Sequence, residues 1–272
     1  MRSSEIIDMK EGQWPSSFKG GNILKILLVN DDGIDAPGIR ALIDRLSKEH
    51  EIIISAPDGQ RSGYSHSINY MHPIVVRERK IQSHENIKAY AVGGSPADCV
   101  KLAMHALFKD EKIDMVVSGI NDGPNLGRDI CYSGTFGAAM EAAVHGLRAI
   151  AISCYTETES PAFEFAADFL AEYIKNTDMS FVPAGTVINI NVPDAVNGKV
   201  NGISITRQSG RYYKEKYDIA EVDDEMLYQL TDDGDLPPEE GTDVYAIMNG
   251  FISITPLKYD RTDNFCVDRM KK

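Results

Sequence analysis

The sequence predicts an α/β fold around a mostly parallel sheet, and two observations predict it. Apolar runs of strand length stop abruptly in polar, glycine-containing loops: Lys25–Val29 in Asn30-Asp31-Asp32-Gly33, Glu51–Ala56 in Pro57-Asp58-Gly59, and Ile113–Val117 in a loop opening at Ser118. Between these runs stand segments whose apolar residues recur at helical spacing, and a strand-helix-strand rhythm of roughly 20 residues fits the βαβ unit. With 272 residues and 43% apolar content, the chain can bury one large α/β core with an appendage.

Residues 1–22 carry Gly, Ser and charge without periodicity and read as a flexible leader. The strand at Lys25–Val29 follows; Pro37 then sits where a first helical turn tolerates it, with Ile39, Leu42, Ile43 and Leu46 on one face. Gln60–Ser67, after the second strand, is polar, hydroxyl-rich and irregular, hence a loop at the carboxyl side. His72-Pro73 opens an alternating segment to Arg79, and Ala89–Val92 is a short strand, together a hairpin-like insertion.

Gly93–Asp98 has the marks of a helix start, with Ser95 as N-cap, Pro96 in the first turn and Asp98 behind it. That helix is expected to reach about Phe108, with Val100, Ala103, Met104 and Leu107 facing the sheet. Ser133-Gly134-Thr135 precedes an alanine-rich helix, Phe136–His145, whose small residues permit close approach to the sheet or a ligand. Arg148–Cys154 is a strand, Pro161–Lys175 a helix and Thr186–Val192 a further strand.

From Arg207 the βα alternation ceases and tyrosine and acidic residues dominate; a short helix at Thr242–Met248 and a last strand at Phe251–Thr255 close the chain. The boundaries are therefore a leader, 1–22, an α/β catalytic core, 23–206, and a C-terminal arm with closing strand, 207–272. Apolar residues of the arm (Tyr217, Met226, Leu227, Tyr228, Leu230) are too sparse for a core of their own, so the arm reads as an extended β structure that reaches a neighbouring subunit.

A net charge of -13 argues against a nucleic-acid duplex as partner. No apolar run is long enough to span a membrane, and the N-terminus has neither an apolar signal region nor a cleavage site, so the chain reads as unexported and cytoplasmic. The four cysteines are widely spaced and form no C-x-x-C pair, which fits reduced thiols. Attraction for a phosphate would have to be local.

Asp31 and Asp32 lie where open α/β sheets gather ligands, outside the carboxyl end of a strand. Adjacent carboxylates in a partly desolvated turn repel, and a hard cation relieves the strain; equally, one could cap the helix while the other is solvated. Ser62 and Asn121 lie on two other strand-end loops, although such residues taken singly are usually turn formers. An all-oxygen set favours Mg2+, Mn2+ or Ca2+ over zinc. Two helix N-termini, at Ser95-Pro96 and at Ser133-Gly134-Thr135, suit a phosphate. Cation and phosphate cradle together point to phosphoryl chemistry, while a GxxxxGK[ST] loop, a GxGxxG turn and a G-x-S-x-G elbow are all missing. Asn125 reads as a turn former, His66 as a surface or packing residue, and His105 and His145 as structural.

Four blocks, ILLVNDDGIDAPGIRAL, APDGQRSGYSHSI, GGSPADCVKLA and SGINDGPNLGRDICYSGTFGAAMEAA, occur in order, with weaker matches at Val187–Pro193, Thr206–Gln208 and FISITPL. Together they resemble the SurE survival-protein family of metal-dependent nucleotidases over about residues 24–257. The resemblance implies a Rossmann-like three-layer sandwich that hydrolyses nucleoside monophosphates with one divalent cation, Mg2+ or Mn2+, per subunit. It places the cation on Asp31, Asp32, Ser62 and Asn121, with the two aspartates catalytic, and the phosphate on Ser133, Gly134 and Thr135, beside the helix start at Ser95. It further implies a homodimer with exchanged C-terminal segments, or a dimer of dimers. Departures from the family pattern are the leader and the pair Tyr64 and His66, which bear on substrate preference and not on the cation. Two other classes fit parts of the pattern: an aspartyl-phosphate phosphatase, which wants its second acid two residues on from the nucleophile, and a non-catalytic nucleotide-sensing module.

Overall fold

Strand β2 (Lys25–Val29) shows how the layers arise. Ile26 and Leu28 point to one face of the sheet, Leu27 and Val29 to the other, and all four are fully buried. A strand apolar on both faces needs a cover on each, which makes a helix-sheet-helix sandwich. The computed structural model describes residues 6–7, 23–155, 162–194, 200–210, 213–222, 225–235 and 237–271.

The sheet is built from β1 (Ile6–Ile7), β2, β3 (Glu51–Pro57), β4 (Val76–Arg79), β5 (Lys88–Val92), β6 (Met115–Asp122), β7 (Arg148–Cys154), β8 (Thr186–Val192), β9 (Ile203–Ile205) and β12 (Ile252–Lys258), in the order β1-β9-β12-β8-β7-β6-β2-β3-β5-β4. From β8 across to β5 every neighbouring pair is parallel. The chain leaves β2 toward β3 and β5, then returns to β6 on the other side of β2. Strand order therefore reverses between β2 and β6, and that switch point is where such sheets open a crevice.

One face is covered by α1 (Pro37–Leu46) and α4 (Phe163–Asn176), through Ile39, Leu42, Phe163 and Leu170. The other carries α2 (Pro96–Leu102) and α3 (Gly134–Val144), through Val100, Ala138 and Ala142. The expected helix to Phe108 changes pitch at Ala103, and Ala103–Leu107 form a wider π-helical turn. Apolar spacing alone does not separate the two pitches.

The expected hairpin-like insertion is an extension of the main sheet: β4 pairs antiparallel with β5, which itself lies parallel beside β3. Of the leader, Ile6 and Ile7 pair antiparallel with Ile203 and Ser204 of β9; its other residues lie outside those described. The C-terminal segment divides in two. Strands β10 (Tyr213–Val222) and β11 (Glu225–Asp235) form a separate two-stranded hairpin, whereas α5 (Asp243–Met248) and β12 belong to the body, β12 lying between β8 and β9. The last strand runs on through Pro256, opposite Ile188, to Lys258. A final helix, α6 (Asn264–Met270), follows.

Candidate metal and phosphate site

The loop after β2 is shaped by Asn30, whose buried amide donates to the Gly33 carbonyl at 2.8 Å and accepts the Gly33 N–H at 3.2 Å. Gly33 takes φ +106°, and its Cα stands so close to the Gly59 backbone that a Cβ would meet it at 3.2 Å. The turn is thus tied to the loop after β3. Arg61 N–H donates to the Asp31 carbonyl at 2.6 Å, which brings the exposed Ser62 beside the acidic turn, its hydroxyl accepting from Gln60 at 3.1 Å.

Across the switch point, the Asp122 N–H donates to the Asp32 carboxylate at 3.3 Å. A register irregularity between Ser118 and Asn121 bends the end of β6 there. Gly119 makes the bend possible, since a Cβ at its φ of +140° would stand 2.2 Å from the Ile152 carbonyl. The Asn121 amide nitrogen donates to the Gly123 carbonyl at 2.6 Å, so its oxygen points away from that bond. Asp31 and Asp32 lie on the loop after β2, Ser62 on the loop after β3, and Asn121 on the bent end of β6, which runs past the expected end at Val117 to Asp122; the Arg61 and Asp122 N–H groups tie the latter two to the acidic turn.

The residues expected to receive a phosphate meet the same point. A Cβ on Gly134 would lie 2.9 Å from Asp31 Cβ, 3.0 Å from its Oδ2 and 3.1 Å from Pro96 Cγ, so the first turns of α3 and α2 close on Asp31. The Thr135 hydroxyl donates to Asp31 Oδ1. Ser133 caps α3, accepting the Phe136 N–H at 3.0 Å. Ser95 is committed to structure: its hydroxyl accepts from Asp98 N–H at 3.0 Å and donates to the Ser67 carbonyl at 2.6 Å, while the Asp98 carboxylate accepts the Ser95 and Asn69 N–H groups. This capping box holds Ser67–Asn69 against α2 and uses the Ser95 hydroxyl as both donor and acceptor.

Electrostatics favours a cation. Asp31 is only 4% exposed, and burial pushes its carboxyl up to about 6; the Thr135 hydrogen bond opposes that rise and the Asp32 charge adds to it. Burial likewise raises Asp32, with the Asp122 N–H opposing and the Asp122 carboxylate adding. Hydroxyl, backbone and acid groups act on the pair, and among the described residues no Lys, Arg or His neutralises it. Among those residues no group of three or more His, Cys, Asp and Glu is placed to hold an ion, so any cation here would rest on the two carboxylates and neutral oxygens. That chemistry suits a hard divalent ion.

Several contacts beside the site were hidden in the sequence. Asn125, expected to be an ordinary turn former, is buried: its N–H reaches the Asn191 side chain at 2.8 Å, its amide nitrogen reaches Ser153 at 2.8 Å, and its carbonyl accepts from Asn189 and Asn191. The row of polar residues at the ends of β7 and β8 was the available signal. His66 bonds Glu141 of α3 at 2.7 Å, and Glu141 also takes Lys101 and His145 at 2.9 and 3.0 Å. Burial would raise Glu141, but the His66 and Lys101 contacts outweigh it and hold the carboxyl at about 2. The Ser65–His66 backbone presses on Gly137 so closely that a Cβ there would stand 2.3 Å from the Ser65 carbonyl.

The family model described as Survival protein SurE matches residues 26–215. A "5'-nucleotidase SurE" from Syntrophomonas wolfei is 42% identical over 252 residues, covering 92% of this chain and 94% of the relative. Another of that name, from Fervidobacterium nodosum, is 40% identical over 238 residues, covering 86% and 91%. The crystal structure of the SurE protein from Aquifex aeolicus superposes with a TM-score of 0.79 at 36% identity, covering 91% of this chain and 98% of that one. Four motif blocks in order, an acidic switch point and these likenesses have one reading: the chain belongs to the SurE family.

Proposed function

We propose that this protein is a divalent-metal-dependent 5′-nucleotidase, hydrolysing nucleoside monophosphates to nucleoside and inorganic phosphate. The observation that carries it is the buried, unneutralised Asp31 carboxylate packed against Gly134 at the start of an 11-residue helix, which puts a cation position and an anion position side by side. The names of the relatives supply the substrate class.

Asp31, Asp32, Ser62 and Asn121 hold one Mg2+ or Mn2+ per subunit. Such an ion, when bound, lowers the pKa of a water ligand and neutralises phosphate charge. Thr135 fixes the Asp31 carboxylate through its hydroxyl, and the backbone N–H groups opening α3 receive the nonbridging phosphate oxygens. An aspartyl-phosphate route is disfavoured, because the acids are adjacent and one oxygen of the buried Asp31 is already engaged by Thr135. Phosphate release from nucleoside monophosphates, followed with Mg2+ or Mn2+ and then with chelator, is the test. Turnover that needs the ion is expected; binding without turnover would leave a nucleotide-sensing module instead.

Assembly follows from the hairpin. Tyr217 pairs with Leu230 and Ile219 with Tyr228, and with Met226 they form one apolar face, each residue between 52% and 60% exposed. A lone two-stranded ribbon with such a face is marginal in water. Its proposed cover is a second copy of this chain, giving a homodimer or a dimer of dimers. Light scattering at micromolar concentration should give two or four times the 30.0 kDa chain mass; a stable single-chain mass refutes this. Among the described residues no helix is long and apolar enough to cross a membrane, and all four cysteines are free. Free thiols support the proposed cytoplasmic location.

A further inference from the structure

Asp243 is a fully buried carboxylate that the chemistry above leaves unused. Its Oδ2 accepts the Gly127 N–H at 2.8 Å and its Oδ1 accepts the N–H groups of Ser209 and Val244 at 2.8 and 2.9 Å. Gly127 closes the short loop that follows the end of β6, where Asn121 stands, and opens a 3-10 turn (Gly127–Cys131) that feeds into the cap of α3. Its carbonyl is held as well, by Gln208 Nε2 at 2.6 Å. Both backbone polar groups of Gly127, at a φ of +50°, are therefore gripped by residues remote in sequence.

Those residues stand at the base of the projecting hairpin. Gln208 and Ser209 come just before β10, and Arg207 is locked to the start of α5 by two backbone bonds, to Gly241 at 3.1 Å and from Asp243 at 3.0 Å. Below the loop, Leu126 packs with Val244 and Ile247 of α5. We infer that Asp243 and Gln208 are positioning residues, a clamp that couples the base of the hairpin to the loop joining the cation-side Asn121 to the phosphate-side helix α3. An acid suits the clamp because both oxygens accept; an amide would turn a donor toward a backbone donor.

The inference rests on the nucleotidase reading for its kinetic consequence but not for its structural one. In full-length protein, Asp243→Asn and Gln208→Ala are compared with Ile174→Val in α4, a control on the opposite face of the sheet. Amide hydrogen exchange on metal-free protein should be about tenfold faster across residues 121–133 in both clamp variants and unchanged in the control. With saturating Mg2+, kcat on a nucleoside monophosphate should fall about tenfold in Asp243→Asn and less in Gln208→Ala. Unaltered exchange in both clamp variants, or an equal loss of kcat in a control of matched melting temperature, would overturn the clamp. If wild-type protein proves inactive while the variants still loosen the loop, the nucleotidase reading fails and the clamp stands.

Discussion

Asp32→Asn should leave a folded protein whose phosphate release is reduced about hundredfold or more, the scale expected when a charge that organises the transition state is removed. The amide keeps the shape of the half-buried side chain and can still accept the Asp122 N–H. What disappears is a charge held against burial and against the Asp122 carboxylate. Relief of that repulsion should leave the metal-free variant at least as stable as wild type. The two effects separate catalysis from folding in one pair of measurements: thermal unfolding with and without Mg2+, and turnover at saturating Mg2+. Added ion should raise the wild-type melting temperature and leave that of the variant in place, because only a state that binds the ligand gains from it. Turnover above about a tenth of wild type would remove Asp32 from the cation site.

Gly134→Ala is the second large effect, and its sign runs against helix propensity. In an unhindered helix the exchange stabilises by about 0.5–1 kcal/mol. Here the new methyl would stand 2.9 Å from Asp31 Cβ and 3.1 Å from Pro96 Cγ, so Asp31 or α3 has to shift. The expected result is a lower melting temperature, weaker Mn2+ binding and weaker inhibition by inorganic phosphate, all from one methyl. Calorimetric Mn2+ titration and phosphate inhibition are the readouts. If both were as in wild type, the start of α3 would not touch the site.

How much of this could be read from the chain follows the range of the interactions. Strand β2 and the acidic turn were legible because their causes are local: an apolar run, two adjacent carboxylates, a glycine. The caps at Ser95 and Ser133 were legible for the same reason, though the commitment of the Ser95 hydroxyl to Ser67 was not, since that partner comes from another loop. Thr135 was placed with the phosphate from its position at a helix start; the bond from its hydroxyl to Asp31, more than a hundred positions earlier in the chain, was not legible. Asn125, Glu141 and Asp243 escaped because a buried polar residue looks like a turn or surface residue until the strands that satisfy it are assembled. In the C-terminal segment the extended β character and the closing strand were legible, whereas the division between a separate hairpin and a β12 buried between β8 and β9 depends on strands far away in the chain.

The position of β12 also sets an order of events during synthesis. Strand β8 leaves the ribosome with β7 as its neighbour, and its other edge, N–H and C=O groups together, stays open until residues 252–258 have emerged. Some sixty residues are translated in that interval, several seconds at ordinary elongation rates. All seven residues of β8 are buried in the folded protein, so the nascent chain carries an unpaired, apolar edge until β12 is available to cover it. Until β12 pairs with it, that edge of β8 offers a template to any other strand, which makes the interval before β12 docks the one in which mispairing between chains is favoured.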